Sequence, residues 1–513
     1  MLSKVFGKKS DHPMADIKAA QALLEGLLKN DVHKLLMDLS EWIESVSENT
    51  DFKLDHQIAV LCLLDETAQP YLRKLVREYF SPKEPSKFQE NRLWMCLENY
   101  SRHTAGGYYK VFNRYCNAEK SSSALKAQLP LLVVRTVNAM IGQLKFVCVR
   151  YNQVNDANWV NFAQIYNFAE LQQCLDTPVS LYPGLVGNTT VKSEVGHLLG
   201  WFGCGLNTLK PLLMHLTERI VAQYSTDIDM YAQHGDHDLF SFNLNRPAAP
   251  MRAKLDATTY SSVRYISMAR MRPKLESLIK TLAKEIIPGD LTLSGAYPAE
   301  MVREAAQHLL NYMVAPPLRQ GVRRSVKLNL NVVQGFDDTV ERTNAGLNFG
   351  EEKPAQWDVE NISTNGFCTV LPVQGNGEIR VGSLLGVQPT GGKNWGVAVV
   401  RRMMHDDNHM LHVGAEMLTN QITAVALVQS GEGGGAFDEG QTAFWLHEKS
   451  SEFAAEARLL MKADSFSGQL SLLTEMEGND YLLIPIGLLE KYSDCDLVKF
   501  RLIKQETGSE ERY

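Results

Sequence analysis

The chain of 513 residues lacks paired cysteines, a signal-peptide core and a long apolar run. Its eight cysteines are scattered singly without a CxxC pair, which excludes zinc-ribbon and thioredoxin-type sites and fits a reducing compartment. The N-terminal residues carry charge but no apolar h-region. No uninterrupted apolar stretch reaches the roughly 18 residues that a membrane helix needs. We therefore predict a cytoplasmic protein without a membrane span.

The chain also lacks a basic surplus and recognisable catalytic motifs. Its net charge of −7 and pI of about 6.0 argue against a nucleic-acid-binding protein. We find no nucleophile elbow, no HExxH and no convincing pair of acid–base carboxylates, so we predict no enzyme. A polar loop is the preferred interpretation of His234, Asp236, His237 and Asp238, because so short a segment rarely completes a metal site. We predict no metal and no cofactor.

The first part of the chain, residues 11–316, has helical periodicity. Apolar residues recur at three- and four-residue spacing through most of it. Near residue 225 the sequence changes to a stretch with Gly, His, Asp and Pro, which allows two subdomains. Pro70 lies inside one of these periodic runs and predicts a kink or break. The run ends at "APP" (315–317), and two consecutive prolines favour a domain boundary there.

Beyond this boundary the hydrophobic period changes from 3.6 to 2. The stretch "SVKLNLNVV" alternates strictly, and further short apolar runs follow with Gly, Asn and Asp between them. Short strands at regular spacing predict barrels or sandwiches. The expected fold class is multidomain α+β: a helical N-terminal region, then a six-stranded β-barrel at 317–420 and a further small β domain at 421–513.

Three arginines precede the first of these strands. Arg319 and Arg323 have RxxxR spacing, and Arg324 follows directly. The same spacing at Arg73 and Arg77 falls in a helical run, where a solvated helix face is the simpler interpretation. Downstream, "WDVENISTNGFCTVLP" contains Asn361, Ser363 and Gly366, spaced NxSxxG at the start of another strand.

These two motifs, in this order and before the strand "LHVGAEML" (411–418), resemble those of the PilZ domain family. PilZ domains are bacterial receptors for cyclic di-GMP. The resemblance implies a six-stranded barrel with RxxxR ahead of it and (D/N)xSxxG on its early strands. It covers residues 317–420 only, and no family is recognised for the helical region.

The chemistry of the residues agrees with what the resemblance implies. Cyclic di-GMP carries two phosphates and two guanines, and an arginine fork can bind a phosphate or the O6/N7 edge of guanine with two hydrogen bonds. The resemblance assigns Arg319 and Arg323 to guanine and phosphate, and Asn361 and Ser363 to guanine. Arg324 is an additional phosphate contact, and Gly366 allows a close backbone approach.

The sequence departs from the family between the two motifs. The polar insert 334–355 makes the gap longer than usual, and we interpret it as an extended hairpin or loop between the first two strands. Its acidic residues would disfavour a phosphate if they faced the site. Two alternatives stay open: the arginines form ion pairs with acidic surface residues, and Asn, Ser and Gly form an ordinary turn.

The predicted function is a bacterial second-messenger receptor that binds cyclic di-GMP and relays the signal to a helical output region. An unidentified protein partner would bind through that helical region. The alternative is a PilZ-fold scaffold that binds protein partners without nucleotide.

Overall fold

The computed structural model describes residues 12–27, 30–83, 85–119, 122–185, 187–253, 261–314, 323–343, 354–429, 440–447 and 456–505. Contacts divide the chain into two units. The first comprises residues 1–206 and 211–317, and the second comprises 207–210 and 318–513.

The first unit is helical with one small sheet. Its elements are α1 (Ile17–Glu25), α2 (Val32–Glu48), α3 (Leu54–Tyr79), α4 (Lys87–Cys116), α5 (Leu129–Cys148), α6 (Asp156–Leu171), α7 (Val191–Phe202), α8 (Pro211–Gln223), β1 (Asp229–Tyr231), β2 (Asp238–Asn243), β3 (Met251–Arg252), β4 (Val263–Ser267), α9 (Met271–Leu282) and α10 (Ala299–Val314). The four strands form an antiparallel sheet in the order β1-β4-β2-β3.

Local signals explain where the long helices begin. Ser86 caps α4 in a capping box with Gln89, so each residue satisfies a backbone N–H that the helix leaves free. Helix α3 continues through Pro70, so the break that the sequence allowed there does not occur. Leu64, Ala68 and Leu75 are buried on either side of the proline, and this packing holds the helix together despite the missing N–H.

One helical segment of the first unit, Ser122–Cys148, is long and apolar enough to cross a membrane by composition. Of its most apolar 18-residue window, 67% is buried inside the structure, as expected for a core helix.

The second unit contains two closed six-stranded barrels. Its elements are β5 (Arg324–Gln334), α11 (Phe336–Thr343), β6 (Ala355–Ser363), β7 (Gly366–Pro372), β8 (Leu384–Pro389), β9 (Gly396–His405), β10 (Met410–Thr419), β11 (Ile422–Gln429), β12 (Gln441–Leu446), β13 (Glu456–Lys462), β14 (Leu472–Met476), β15 (Asn479–Lys491) and β16 (Cys495–Lys504). The first barrel has the order β10-β7-β6-β5-β8-β9 and the second β11-β12-β13-β16-β15-β14. The predicted fold class is therefore confirmed.

The insert between β5 and β6 is not simply a hairpin or loop. Gly335 follows the last residue of β5 and has a φ of +93°, and helix α11 begins at the next residue. Phe336 and Thr339 are buried, and Val340 packs beside them on the same face. Thr339 packs directly against Gly386 of β8. Glycine makes this contact possible, because a Cβ at position 386 would lie only 2.8 Å from the threonine side chain. Residues 344–353 of the insert lie outside the described residues.

The two barrels share an apolar cluster. Phe336 of α11 and Val399 of the first barrel pack with Phe444 and Leu497 of the second. Next to this cluster, Asp494 accepts a hydrogen bond from the backbone N–H of Leu384 at 3.1 Å. Burial of these apolar side chains stabilises the pair of barrels as one body.

Candidate ligand-binding site

The outer face of the first barrel carries the second predicted motif. Along β10, Leu411, Val413 and Ala415 are buried in the barrel, so the residues between them point outward. Gly414 pairs with Cys368 of β7, and Cys368 pairs with Asn361 of β6. Directly paired residues share a face, which places Asn361 on the outside.

The same face extends to β5 and to the turn between β6 and β7. Ser325 of β5 pairs with Asn361, and Ser363 pairs with Gly366. Ser363 is two residues from Asn361 on the same strand and therefore also points outward. Its hydroxyl donates to the Gly366 carbonyl at 3.3 Å. The structure thus brings Asn361, Ser363 and Gly366 together on one outward face.

The described arginines lie at the beginning of β5. Arg323 and Arg324 are both exposed, and Arg324 pairs with Ile362. The positive charge of Arg323 is close enough to Cys368 to oppose the rise in the pKa of its thiol, which is caused by burial. Arg323 therefore lies near the row that holds Asn361. Arg319 falls outside the described residues.

Gly366 has a structural reason to be glycine. A Cβ there would overlap the carbonyl oxygen of Ala415, because β7 and β10 approach closely at this point. The backbone N–H of Met417 also donates to the carbonyl of Asn365 at 2.9 Å, which fixes the turn against β10. Gly366 thereby sets the position of Ser363 and Asn361 whether or not a ligand is bound.

One acidic residue of the insert has its partner in the second barrel. Asp337 of α11 pairs with Lys462 of the second barrel at 2.8 Å. Glu360, in contrast, lies beside Asn361, whose side-chain amide donates to it at 3.3 Å. The face therefore offers guanidinium donors and a carboxylate acceptor together. Guanine suits such a face, because it presents the O6 and N7 acceptors and the N2 donors.

A buried polar cluster in the first unit was missed by the sequence analysis. Glu218 accepts from Lys145 at 2.7 Å and lies 2.8 Å from Nε2 of His197, while Lys145 Nζ is 2.6 Å from Nδ1 of His215. Burial lowers the pKa of His197, but Glu194 and Glu218 outweigh it and the pKa is raised. These residues come from three helices far apart in sequence, so no local motif could reveal them. Each is paired within the cluster, which borders a cavity of about 180 Å³.

The remaining polar segments form turns or fall outside the described residues. Asp238 accepts from the backbone of Gly235 at 2.6 Å in the turn before β2. Asp406 accepts from the backbone of Asn408 and Met410 in the hairpin between β9 and β10. No group of three or more His, Cys, Asp or Glu is arranged to hold a metal among the described residues.

Two family models match the chain. Residues 18–233 match the model described as "Cyclic-di-GMP receptor FimW, N-terminal domain", and residues 337–423 match "Cyclic-di-GMP receptor FimW, middle PilZ domain". The matches together span more than half of the 513 residues. The helical region, for which the sequence analysis recognised no family, is therefore recognised. No curated protein and no solved structure matches the chain.

Proposed function

Because the chain belongs to the family of the cyclic-di-GMP receptor FimW, we propose that cyclic di-GMP binds to the outer face of its first barrel, on Asn361, Ser363 and Arg323. The observation that carries this proposal is the strand register. It aligns Ser325, Asn361 and Cys368 in one outward row, with Arg323 close to that row. The family matches support the receptor and give no support to a scaffold that binds no nucleotide.

Each residue has a role that its chemistry allows. Arg323, with Arg319 ahead of it, binds phosphate or the guanine O6/N7 edge through charge-assisted hydrogen bonds. Arg324 pairs with Ile362, which pairs with the buried Phe367, so the strand register places Arg324 on the opposite face and gives no support to its predicted phosphate contact. Asn361 and Ser363 bind guanine through their amide and hydroxyl groups. Gly366 holds the turn against β10 and so positions both side chains.

Calorimetric titration of the full chain with cyclic di-GMP tests this proposal. We expect micromolar or tighter binding, about −8 kcal/mol. Replacing Arg319 and Arg323 by alanine removes two charged donors and lowers the affinity by about 100-fold or more. The chain contains its own matched control, because Arg73 and Arg77 have the same spacing and are exposed on helix α3.

The control variant Arg73→Ala/Arg77→Ala removes the same charge and keeps the affinity of the unmutated chain. Equal binding by both double variants would contradict the proposed site. Absence of binding by the unmutated chain would contradict the function itself.

We also propose that ligand binding is relayed to the helical unit. The segment that bears the arginines joins the helical unit to the first barrel in sequence, and the helical unit would bind an unidentified protein partner in the cytoplasm. A ligand changes such an equilibrium only through its different affinity for the two states. Solution scattering with and without cyclic di-GMP tests this relay. An unchanged profile would contradict a rearrangement and leave the binding site untouched.

A further inference from the structure

An arginine outside both motifs lies on the same outward face. Arg402 of β9 pairs with Gly414 of β10, which in turn pairs with Cys368 of β7. Arg402 therefore continues the row that leads through Cys368 to Asn361. It lies at the opposite end of this row from Arg323 and Ser325, so the two ends of the face each carry a guanidinium group.

The glycine at position 414 lets Arg402 lie along the barrel surface. A Cβ built on Gly414 would be 3.6 Å from Nε and 3.8 Å from Nη2 of Arg402. The guanidinium thus crosses β10 above the glycine and reaches the Cys368 thiol on the next strand. A larger side chain at position 414 would occupy this space.

Arg402 differs from its neighbour Arg401 in its ion pairs. Arg401 is the extra residue of a β-bulge and donates to Glu416 at 2.6 Å and to both oxygens of Glu490. Arg402, in contrast, forms no ion pair with any residue in the described part of the chain. A half-buried guanidinium without a carboxylate retains donors for an anionic or acceptor-rich ligand.

The distance across the face suits a ligand with two equivalent halves. Gly414 and Asn361 are two strands apart, about 10 Å at a strand spacing of roughly 4.8 Å. A cyclic dinucleotide has two guanines and two phosphates, so one half can lie at Asn361 while the other reaches Arg402. The motif residues by themselves serve only the β5–β6–β7 side of this face.

We propose that Arg402 is a further ligand-binding residue, which donates to a guanine edge or a phosphate of cyclic di-GMP at the β9–β10 side of the face. This inference rests on the proposed function. Gly414 is the positioning residue that keeps the path of Arg402 open.

Titration of the full chain with cyclic di-GMP tests the inference on four variants. We expect Arg402→Ala to lower the affinity by about tenfold or more, as the loss of a charge-assisted contact does, and Arg402→Lys to recover part of it. Gly414→Leu lowers the affinity without removing any charge, because it displaces the guanidinium. Arg501→Ala removes an exposed arginine from the second barrel and leaves the affinity unchanged.

The outcomes separate this inference from the one on which it rests. Unchanged binding by Arg402→Ala, in a chain that binds cyclic di-GMP, overturns the role of Arg402 and leaves the proposed function standing. A chain that does not bind overturns both. Competition with cyclic di-AMP identifies the contact, because this ligand keeps the phosphates and lacks the guanine O6. An equal loss for both ligands in Arg402→Ala assigns a phosphate, and a loss confined to cyclic di-GMP assigns a guanine.

Discussion

Single residues on the outer face of the first barrel have structural roles beside the binding roles that we propose for them. The NxSxxG spacing was found in the sequence because its three residues are close together on one hairpin. The overlap that a Cβ at Gly366 would make with Ala415 was not predictable, because it depends on a strand 49 residues further along the chain. Arg402 was not predicted for a similar reason, since only the strand register places it on the same outward face as Asn361.

The substitution Gly366→Ala tests the structural role of this glycine. Because the added methyl group meets backbone rather than a movable side chain, we expect a loss of about 1–3 kcal/mol in the free energy of unfolding. Denaturant unfolding of the full chain measures it. Gly377→Ala is the matched control in the same barrel, since a Cβ there has open space. A Gly366→Ala chain as stable as this control would contradict the close approach of β7 and β10.

At the scale of elements, alternating strands were predicted well and short helices in polar segments were not. The runs that became β9, β10 and β16 alternate or are bounded by turn residues, which period-2 analysis detects. Helix α11 was not predicted because only Phe336 and Thr339 are buried in it, with Val340 partly buried, which is too few for a helical period to show. Strand β8 is buried along most of its length and does not alternate.

Removing the main apolar side chain of α11 tests its role between the barrels. Phe336 is 4% exposed and packs against Phe444 in a tilted arrangement with ring centroids 5.1 Å apart. We expect Phe336→Ala to lower the stability of the barrels by about 3–5 kcal/mol. Glu341→Ala changes an exposed residue of the same helix and serves as the control in denaturant unfolding. Equal stabilities of the two variants would show that α11 does not support the shared core.

The buried cluster between α5, α7 and α8 makes the stability of the helical unit depend on pH. The pKa of His197 is raised in the folded chain, against the opposing effect of burial, by Glu194 and Glu218. Its contribution to stability is therefore complete below its ordinary pKa of about 6.5 and is lost as the pH rises through the higher folded value. The pKa values of Glu194 and Glu218 are lowered, so their contributions are lost only below about pH 4.5.

We expect His197→Gln to reveal this dependence. The difference in melting temperature between the unmutated chain and the variant is largest near pH 6 and shrinks as the pH rises above 6.5. Lys145 and Arg219 also pair with Glu218, and His215 contacts Lys145; all three remain present in both chains, so the difference reports on His197. Thermal unfolding between pH 5.5 and 8.5 measures it. A difference that grows with pH would contradict the raised pKa.

At the scale of the whole molecule, two successive β domains were predicted, and their shared core was not. The cluster that joins them draws on residues of both barrels and α11, and it extends from Phe336 to Leu497 in the sequence. The Arg401–Glu490 pair adds a polar contact between β9 of the first barrel and β15 of the second. Long-range packing of this kind leaves no periodic pattern in a single sequence.

Substitution of two phenylalanines in the second barrel tests whether the stability of one barrel depends on the other. Phe444 belongs to the shared cluster, whereas Phe466 packs on Phe500 within the second barrel. We expect Phe444→Ala to accelerate amide hydrogen exchange in β7 of the first barrel, because it weakens the core that both barrels use. Phe466→Ala should accelerate exchange in the second barrel more than in β7. Identical exchange of β7 in both variants would contradict a shared core.

Amide hydrogen exchange of the full chain, followed by mass spectrometry with and without cyclic di-GMP, decides whether the ligand binds to the outer face of the first barrel as we propose. We expect slower exchange in the hairpin from Asn361 to Cys368 and along β10 near Gly414, and unchanged exchange in helix α3 around Arg73 and Arg77. Protection confined to the second barrel or to the helical unit, with the 361–368 hairpin unaffected, would contradict this proposal.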